Sequence, residues 1–270
     1  MRKTALITGA SSGIGKAAAR ALCEAGFTVY AAARHTERME DIKSDKIIPI
    51  ALDLTDDASI ERCVNTILKK EGHIDALINN AGYGSYGAIE DVPPEEARRQ
   101  FDVNVFGLAR LVQLTAPSMR GQNYGRIINI SSMAGKVWTS FGGWYHAAKF
   151  AVEGLSDCMR VELSPFGIDV IVIEPGCIKT PWGEIAADNL IKTSKGGAYE
   201  AAAAKSAKTM RKLYSLNITK PEAIAKTIKK AVTAKRPKTR YMCGFLARPS
   251  VFIRRVFGDK IYDWILKKVD

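Results

Sequence analysis

Ala5-Leu6-Ile7-Thr8-Gly9-Ala10-Ser11-Ser12-Gly13-Ile14-Gly15 decides the fold of this chain. Residues 5–8 are apolar or β-branched without alternation, the pattern of a strand covered on both faces. Glycines at 9, 13 and 15 interrupt it, and residues 15–25 continue with helical periodicity. Glycine permits a tight turn and a close backbone approach to a pyrophosphate, whose charge the following helix N-terminus attracts. Glycine spacing alone is a weak signal, since a turn that packs helix on strand reads the same way. The strand before it and the helix after it give the spacing its weight.

The same alternation runs outward from this stretch. Further strands are expected at residues 28–32, 47–52, 76–79, 126–130 and 169–173, with a last short one at 241–244. Helices are expected at 59–71, 95–119, 144–164 and 221–232. In the second of these, Phe101, Val105, Leu108 and Val112 form one apolar stripe. Strands alternating with helices predict an α/β fold: a Rossmann-like, doubly wound parallel sheet of about seven strands in a single domain, residues 1–270. Residues 183–214 break the pattern with Gly183, Gly196-Gly197 and the run Ala201-Ala202-Ala203-Ala204. They are read as a helical insertion able to serve as a lid over a site.

Composition narrows the function classes. At 270 residues and 47% hydrophobic content the chain can bury one large core. Apolar runs stop well short of the ~18–20 residues a bilayer-spanning helix needs. The basic start Met1-Arg2-Lys3 meets the glycine turn too early for a signal peptide. Five scattered cysteines form no CxxC pair, which points to free thiols in a reducing, cytoplasmic setting. Three histidines without ligand spacing indicate no metal site. The net charge of +12 attracts anionic lipid, nucleic acid or an acidic ligand, or simply solvates a face. No nucleic-acid reading motif accompanies it. Residues 248–270 interleave Phe252, Phe257, Tyr262 and Trp264 with basic side chains, a chemistry compatible with contact to a membrane surface or with packing on the domain or a second subunit.

The chemistry-bearing pair is Tyr145 and Lys149, four residues apart on a predicted helix and therefore on one face. A free phenol has a pKa of about 10, too high for acid–base work near neutrality. An ammonium beside it favours the phenolate and lowers that value. Ser132 ends the fifth predicted strand and Asn104 lies upstream in a helix; each taken alone is an ordinary cap or surface residue.

The order of these motifs resembles the short-chain dehydrogenase/reductase family, in the branch loosely called 17β-hydroxysteroid-dehydrogenase-like, a name that does not fix a steroid substrate. The similarity spans residues 3–180: the glycine turn, Asp53 after the third strand, Asn79-Asn80-Ala81-Gly82, Asn104, Ser132, Tyr145/Lys149 and Pro175-Gly176 with Thr180. The resemblance implies a nicotinamide-dependent oxidoreductase with Tyr145 as acid/base and Ser132 bonding the substrate oxygen. Lys149 would lower the phenol's pKa and bind the ribose, and Asn104 would hold a water leading to solvent. The cofactor would lie along Gly9, Ser11, Ser12, Gly13, Ile14, Gly15, Arg34, Asp53, Leu54, Asn80, Ala81, Gly82, Pro175, Gly176, Ile178 and Thr180, besides Tyr145 and Lys149. Asp53 is explained nearly as well as a helix cap before Asp56-Asp57.

An NAD site places a carboxylate at the end of the second strand, whereas Ala31-Ala32-Ala33-Arg34 ends in a guanidinium suited to a 2′-phosphate. NADP is therefore expected, with NAD less favoured. Tyr83, Met133, Trp138, Trp144, Cys177 and Trp182 fall near the pocket and imply a hydrophobic ketone, aldehyde or alcohol, although Trp138 and Trp144 would serve equally as core. A homodimer or homotetramer is the family's usual assembly. A non-catalytic NADP-binding sensor is the competing reading, and it would be expected to have lost the phenol or the lysine.

Overall fold

In the computed structural model, residues 3–216 and 218–269 are described; Met1, Arg2, Asn217 and Asp270 lie outside them. Seven strands form one sheet: β1 (Lys3–Thr8), β2 (Phe27–Ala33), β3 (Ile47–Ala51), β4 (Ala76–Asn79), β5 (Gly125–Ile130), β6 (Ile168–Pro175) and β7 (Arg240–Cys243). Their order is β3-β2-β1-β4-β5-β6-β7, and every neighbouring pair is parallel. The order reverses between β1 and β4, which opens a crevice at the carboxyl ends of those strands.

Strand alternation sends Ala5, Ile7, Val29 and Ala31 to one face, under α1 (Gly13–Glu24) and α8 (Pro221–Thr233). Leu6, Tyr30, Ala32 and Leu77 go to the other, under α2 (Asp57–Glu71) and α4 (Gly107–Gly121). The hydrophobic runs thus reflect burial on two faces. The cap of α2 is Asp56, whose carboxylate accepts from the Ala58 amide at 3.0 Å, and Gly72 ends that helix at φ 79°. Asp53 is not the cap; its carboxylate bonds Thr55 instead.

One expected helix, 95–119, is divided. It comprises α3 (Pro94–Phe101), a wide π turn over Asp102–Phe106, and α4. A π turn inserts an extra residue without ending the helix, so apolar spacing alone does not reveal it. Here Gly107 lies against Leu54, where an added Cβ would stand 2.7 Å from the leucine Cβ. The insertion expected at 183–214 forms α6 (Trp182–Ser194) and α7 (Glu200–Ser215), which meet through Ala186, Ala187, Leu190, Ala203 and Ala207. After α5 (Gly143–Leu163) and β7, the chain ends in α9 (Ala247–Val269), kinked at Gly258 (φ 76°).

Candidate active site

Parallel strands deliver their carboxyl ends to one edge of the sheet, and the motifs read from sequence follow those ends in turn. Gly9 follows β1, Arg34 follows β2, Asp53 follows β3, Asn80 follows β4, Ser132 follows β5 and Gly176 follows β6. The glycine turn is tightly built. Gly9 has φ +67°, and an added Cβ would stand 2.8 Å from Ala81 Cα; at Gly15 it would stand 2.3 Å from the Gly9 carbonyl oxygen. Asn80 ties the two strands together, its amide donating to the Thr8 carbonyl at 2.8 Å and the Gly9 carbonyl at 3.3 Å. The Asn80 and Ala81 backbone amides both donate to the Thr8 hydroxyl.

Ser12 occupies the N-cap of α1 in extended conformation and contributes no side-chain cap bond. The first-turn amides around Gly13 therefore face the crevice with the positive end of the helix behind them. Ile14 turns its side chain into the core and offers only its backbone there. Across the crevice Thr180 stands over Gly13, 3.1 Å from where a Cβ would lie. The segment from Pro175 to Thr180 is held by bonds from Cys177 N to Phe245 O and Lys179 N to Thr219 O, both 2.9 Å, with Ile178 buried. Arg34 is exposed; burial raises the Asp53 carboxyl, but the Thr55 hydrogen bonds and then the charges of Arg34 and Arg99 bring it below its usual value. An uncapped helix N-terminus and glycines without room for side chains fit the pyrophosphate of a dinucleotide, and a guanidinium stands at the end of β2.

The second half of the site gathers around Tyr145. Ser132 caps the short turn Met133–Gly135 by accepting from Ala134 N at 3.1 Å, and its hydroxyl also bonds Tyr145. Lys149 is buried, donates to the Ile130 carbonyl at 2.8 Å and places Nζ 5.8 Å from the centre of the Tyr145 ring. The expected electrostatics differ in one respect. Burial pushes the phenol up to about 12, with the Ser132 bond opposing it, so the ammonium does not dominate as the residue spacing implied. Burial also brings Lys149 down to about 8, against the pull of Glu153. Desolvation penalises both charged forms, and the amine donates to the carbonyl of Ile130 at the end of β5, two residues before the phenol's partner Ser132.

Asn104, buried in the π turn, clamps Tyr83: its side-chain oxygen accepts from Tyr83 N at 3.2 Å and its amide donates to Tyr83 O at 3.0 Å. Its side chain thus fixes the loop after β4. Of the residues expected near a substrate, Trp182 lies 5.2 Å from Tyr145 between ring centres, and Cys177 is close enough to raise the phenol's pKa. Trp138 turns away to α9, and Trp144 packs edge-on against Phe101.

Several residues escaped the sequence reading. Gln100, fully buried, donates to Tyr83 O and accepts from Ser85 N. His146 accepts from Thr139 N at 3.1 Å and bonds Ala134 O at 3.0 Å; burial lowers its pKa, so it is a neutral strut beside Tyr145. Tyr86 and Tyr214 complete an aromatic wall, 6.1 Å from Tyr145 and 6.1 Å from Trp182 respectively. Tyr214 closes the 183–214 insertion read as a lid, but neither tyrosine bears a periodicity that betrays a pocket.

Residues 3–190 match the family model of short chain dehydrogenases. A probable short-chain type dehydrogenase/reductase, VdlC of Helicobacter pylori, is 36% identical over 265 residues, covering 98% of this chain and 97% of the relative. An NADPH-dependent 3-dehydrocapnine reductase of Ornithobacterium rhinotracheale is 36% identical over 281 residues, covering 98% of each. Among solved structures, a short-chain dehydrogenase of Streptomyces avermitilis superimposes with a TM-score of 0.82 at 32% identity, over 100% of this chain and 99% of that one. With the sheet order, the glycine turn and the Ser132–Tyr145–Lys149 cluster already in place, these matches settle the lineage: the chain belongs to the short-chain dehydrogenase/reductase family, whose fold binds a nicotinamide cofactor.

Proposed function

We propose that this oxidoreductase uses NADP(H) to interconvert a hydrophobic ketone or aldehyde and its alcohol. The observation that carries the reading is the convergence of Ser132, Tyr145 and Lys149 at the mouth of the glycine-turn crevice, under a wall made by Tyr86 and Trp182. The cofactor, when bound, supplies or accepts a hydride. Gly13, Arg34, Asp53, Asn80 and Thr180 would hold it, with Lys149 reaching its ribose.

The protein's part is position and protons. In reduction Tyr145 donates its phenolic proton to the carbonyl oxygen as negative charge grows there, and Ser132 bonds the same oxygen. In oxidation Tyr145 removes the hydroxyl proton. Lys149, fixed by the Ile130 carbonyl, sets a cation beside the Tyr145 ring, and the Asn104 π turn supports the loop that closes this side. α6 and α7 act as a lid, because their alanine face packs on Tyr86 and Tyr145 and shuts water out. The apolar wall favours a hydrophobic substrate. The name of the 3-dehydrocapnine reductase supports NADPH and the reductive direction.

Exposed Phe106, Phe150 and Val161, on the π turn and α5, support a homo-oligomer through these helices. Five free cysteines among the described residues support a reducing, cytoplasmic setting. A sensor that binds NADP without chemistry has less support, since the phenol and its lysine are both kept. A panel of aldehydes and ketones, assayed with NADPH and with NADH, tests the reading. Turnover with NADPH, abolished in Tyr145→Phe, is expected; cofactor binding with no turnover on any carbonyl would favour the sensor.

A further inference from the structure

We propose that α9 is an interfacial helix that docks the protein on anionic lipid bilayers. Four aromatics occur in this helix, and only one of them is used by the fold. Tyr262 is buried at 5% exposure and packs edge-on against Trp138, 5.4 Å between ring centres. Phe252 (61%), Phe257 (53%) and Trp264 (61%) remain exposed. They do so in order. Phe252 and Val256 are four apart before the Gly258 kink, Phe257 adjoins the kink, and Ile261 and Trp264 follow it three apart. Helical spacing of this kind puts the two exposed apolar side chains of each half on one face, a short row on either side of Phe257.

Charge identifies the occupant. Arg248, Arg255, Lys260, Lys267 and Lys268 are exposed around the row. The two acids of the same described stretch are engaged elsewhere: Asp259 pairs with Arg254 at 3.2 Å, and Asp263 accepts the Trp138 indole N–H at 2.8 Å. The face therefore presents aromatic and aliphatic groups ringed by cations. A second copy of this chain meeting it about a two-fold axis would set the same cations against each other. Nucleic acid would satisfy the cations and leave the apolar row in water. An anionic bilayer satisfies both, with phosphates on the basic rim and the row sunk to the acyl boundary. No helix among the described residues is long and apolar enough to cross a membrane, so the contact is peripheral.

The helix is also held in place for this role. Trp138 receives the Tyr262 ring, donates to Asp263 and carries the Arg254 guanidinium 5.4 Å over its own ring. Trp138 lies six residues after Ser132, so docking through α9 would set the catalytic loop beside the lipid surface; this last consequence rests on the proposed catalysis, whereas the docking itself does not.

Flotation of the full chain with phosphatidylcholine vesicles, with and without 30% phosphatidylglycerol, tests the proposal. Binding is expected only where the anionic lipid is present, weakening with added salt, with a blue shift in tryptophan emission. The combined variant Phe252→Ser/Phe257→Ser/Trp264→Ser alters exposed positions and is expected to lose binding more than tenfold with an unchanged melting temperature. Neutralising Lys260, Lys267 and Lys268 together to Gln is expected to weaken binding about a hundredfold, at roughly fivefold per cation. Absence of binding to anionic vesicles, binding unaffected by either variant, or an oligomer that dissociates when the three aromatics are replaced would each overturn it.

Discussion

Lys149 and Tyr145 titrate in the reverse of the order that simple catalysis would want, and this makes a sharp pH prediction. With the amine at about 8 and the phenol at about 12, the first proton leaves the nitrogen. In the mechanism proposed above, the species that removes a proton from an alcohol carries a phenolate beside an ammonium. Below pH 8 its population rises tenfold per pH unit. Above pH 8 it stays constant, because it is then a tautomer of the dominant form, amine beside phenol. On that plateau its fraction is about 10⁻⁴, the four-unit gap, equivalent to about 5 kcal/mol. The reducing species, phenol beside ammonium, behaves oppositely: constant below pH 8 and falling tenfold per unit above it. Hence kcat/KM in both directions should bend near pH 8, and the bend should report the lysine, not the tyrosine. Initial rates of alcohol oxidation and carbonyl reduction between pH 6 and 10, followed at the NADPH absorbance, provide the assay. Lys149→Met should be slower, and its oxidation profile should keep rising without a plateau. An unbroken tenfold rise through pH 10 in the parent enzyme, or a bend unchanged in Lys149→Met, would refute the reasoning.

Arg34→Asp should raise the KM for NADPH by about 10- to 150-fold, the loss of a charge-assisted bond of about 1.5–3 kcal/mol, while NADH is used better; an unchanged ratio of the two specificity constants counts against a 2′-phosphate site at Arg34. Gly15→Ala places a methyl 2.3 Å from a backbone carbonyl that has no slack, so a loss of about 1–3 kcal/mol in stability and of more than tenfold in NADPH affinity is expected, read by thermal melting and fluorescence titration. Glu174 is pushed up to about 7, first by burial and then by Glu153. A carboxyl raised in the folded state contributes its stability fully below its unfolded pKa and loses it as pH climbs through the folded value. Glu174→Gln should therefore gain on the parent protein in melts at pH 8 relative to pH 5; parallel profiles would show that the carboxyl is not the source.

The legible parts of this molecule share one property: local chain chemistry specifies them. A strand buried on both faces must be apolar, and a turn with a carbonyl 2.3 Å from any Cβ must hold glycine, so the sheet and the residues at its carboxyl edge could be read directly. Tyr145 and Lys149 share a helix face for the same reason. What escaped depends on packing between distant segments. The π turn at Asp102–Phe106 leaves apolar spacing intact, and its function appears only when Asn104 and Gln100 are seen bonding the Tyr83–Ser85 backbone. Burial explains the pKa inversion: spacing tells that an ammonium lies near a phenol, while the fold decides that both lose more from desolvation than the pair gains. Trp138 shows the limit most clearly. Its position six residues beyond Ser132 placed it at the pocket, yet its indole N–H goes to Asp263 and its ring to Tyr262 and Arg254, tying the loop after β5 to a helix about 125 residues later in the chain. That tie could not be read from either segment alone, because each aromatic is as plausible in a core as on a surface until its partner is known.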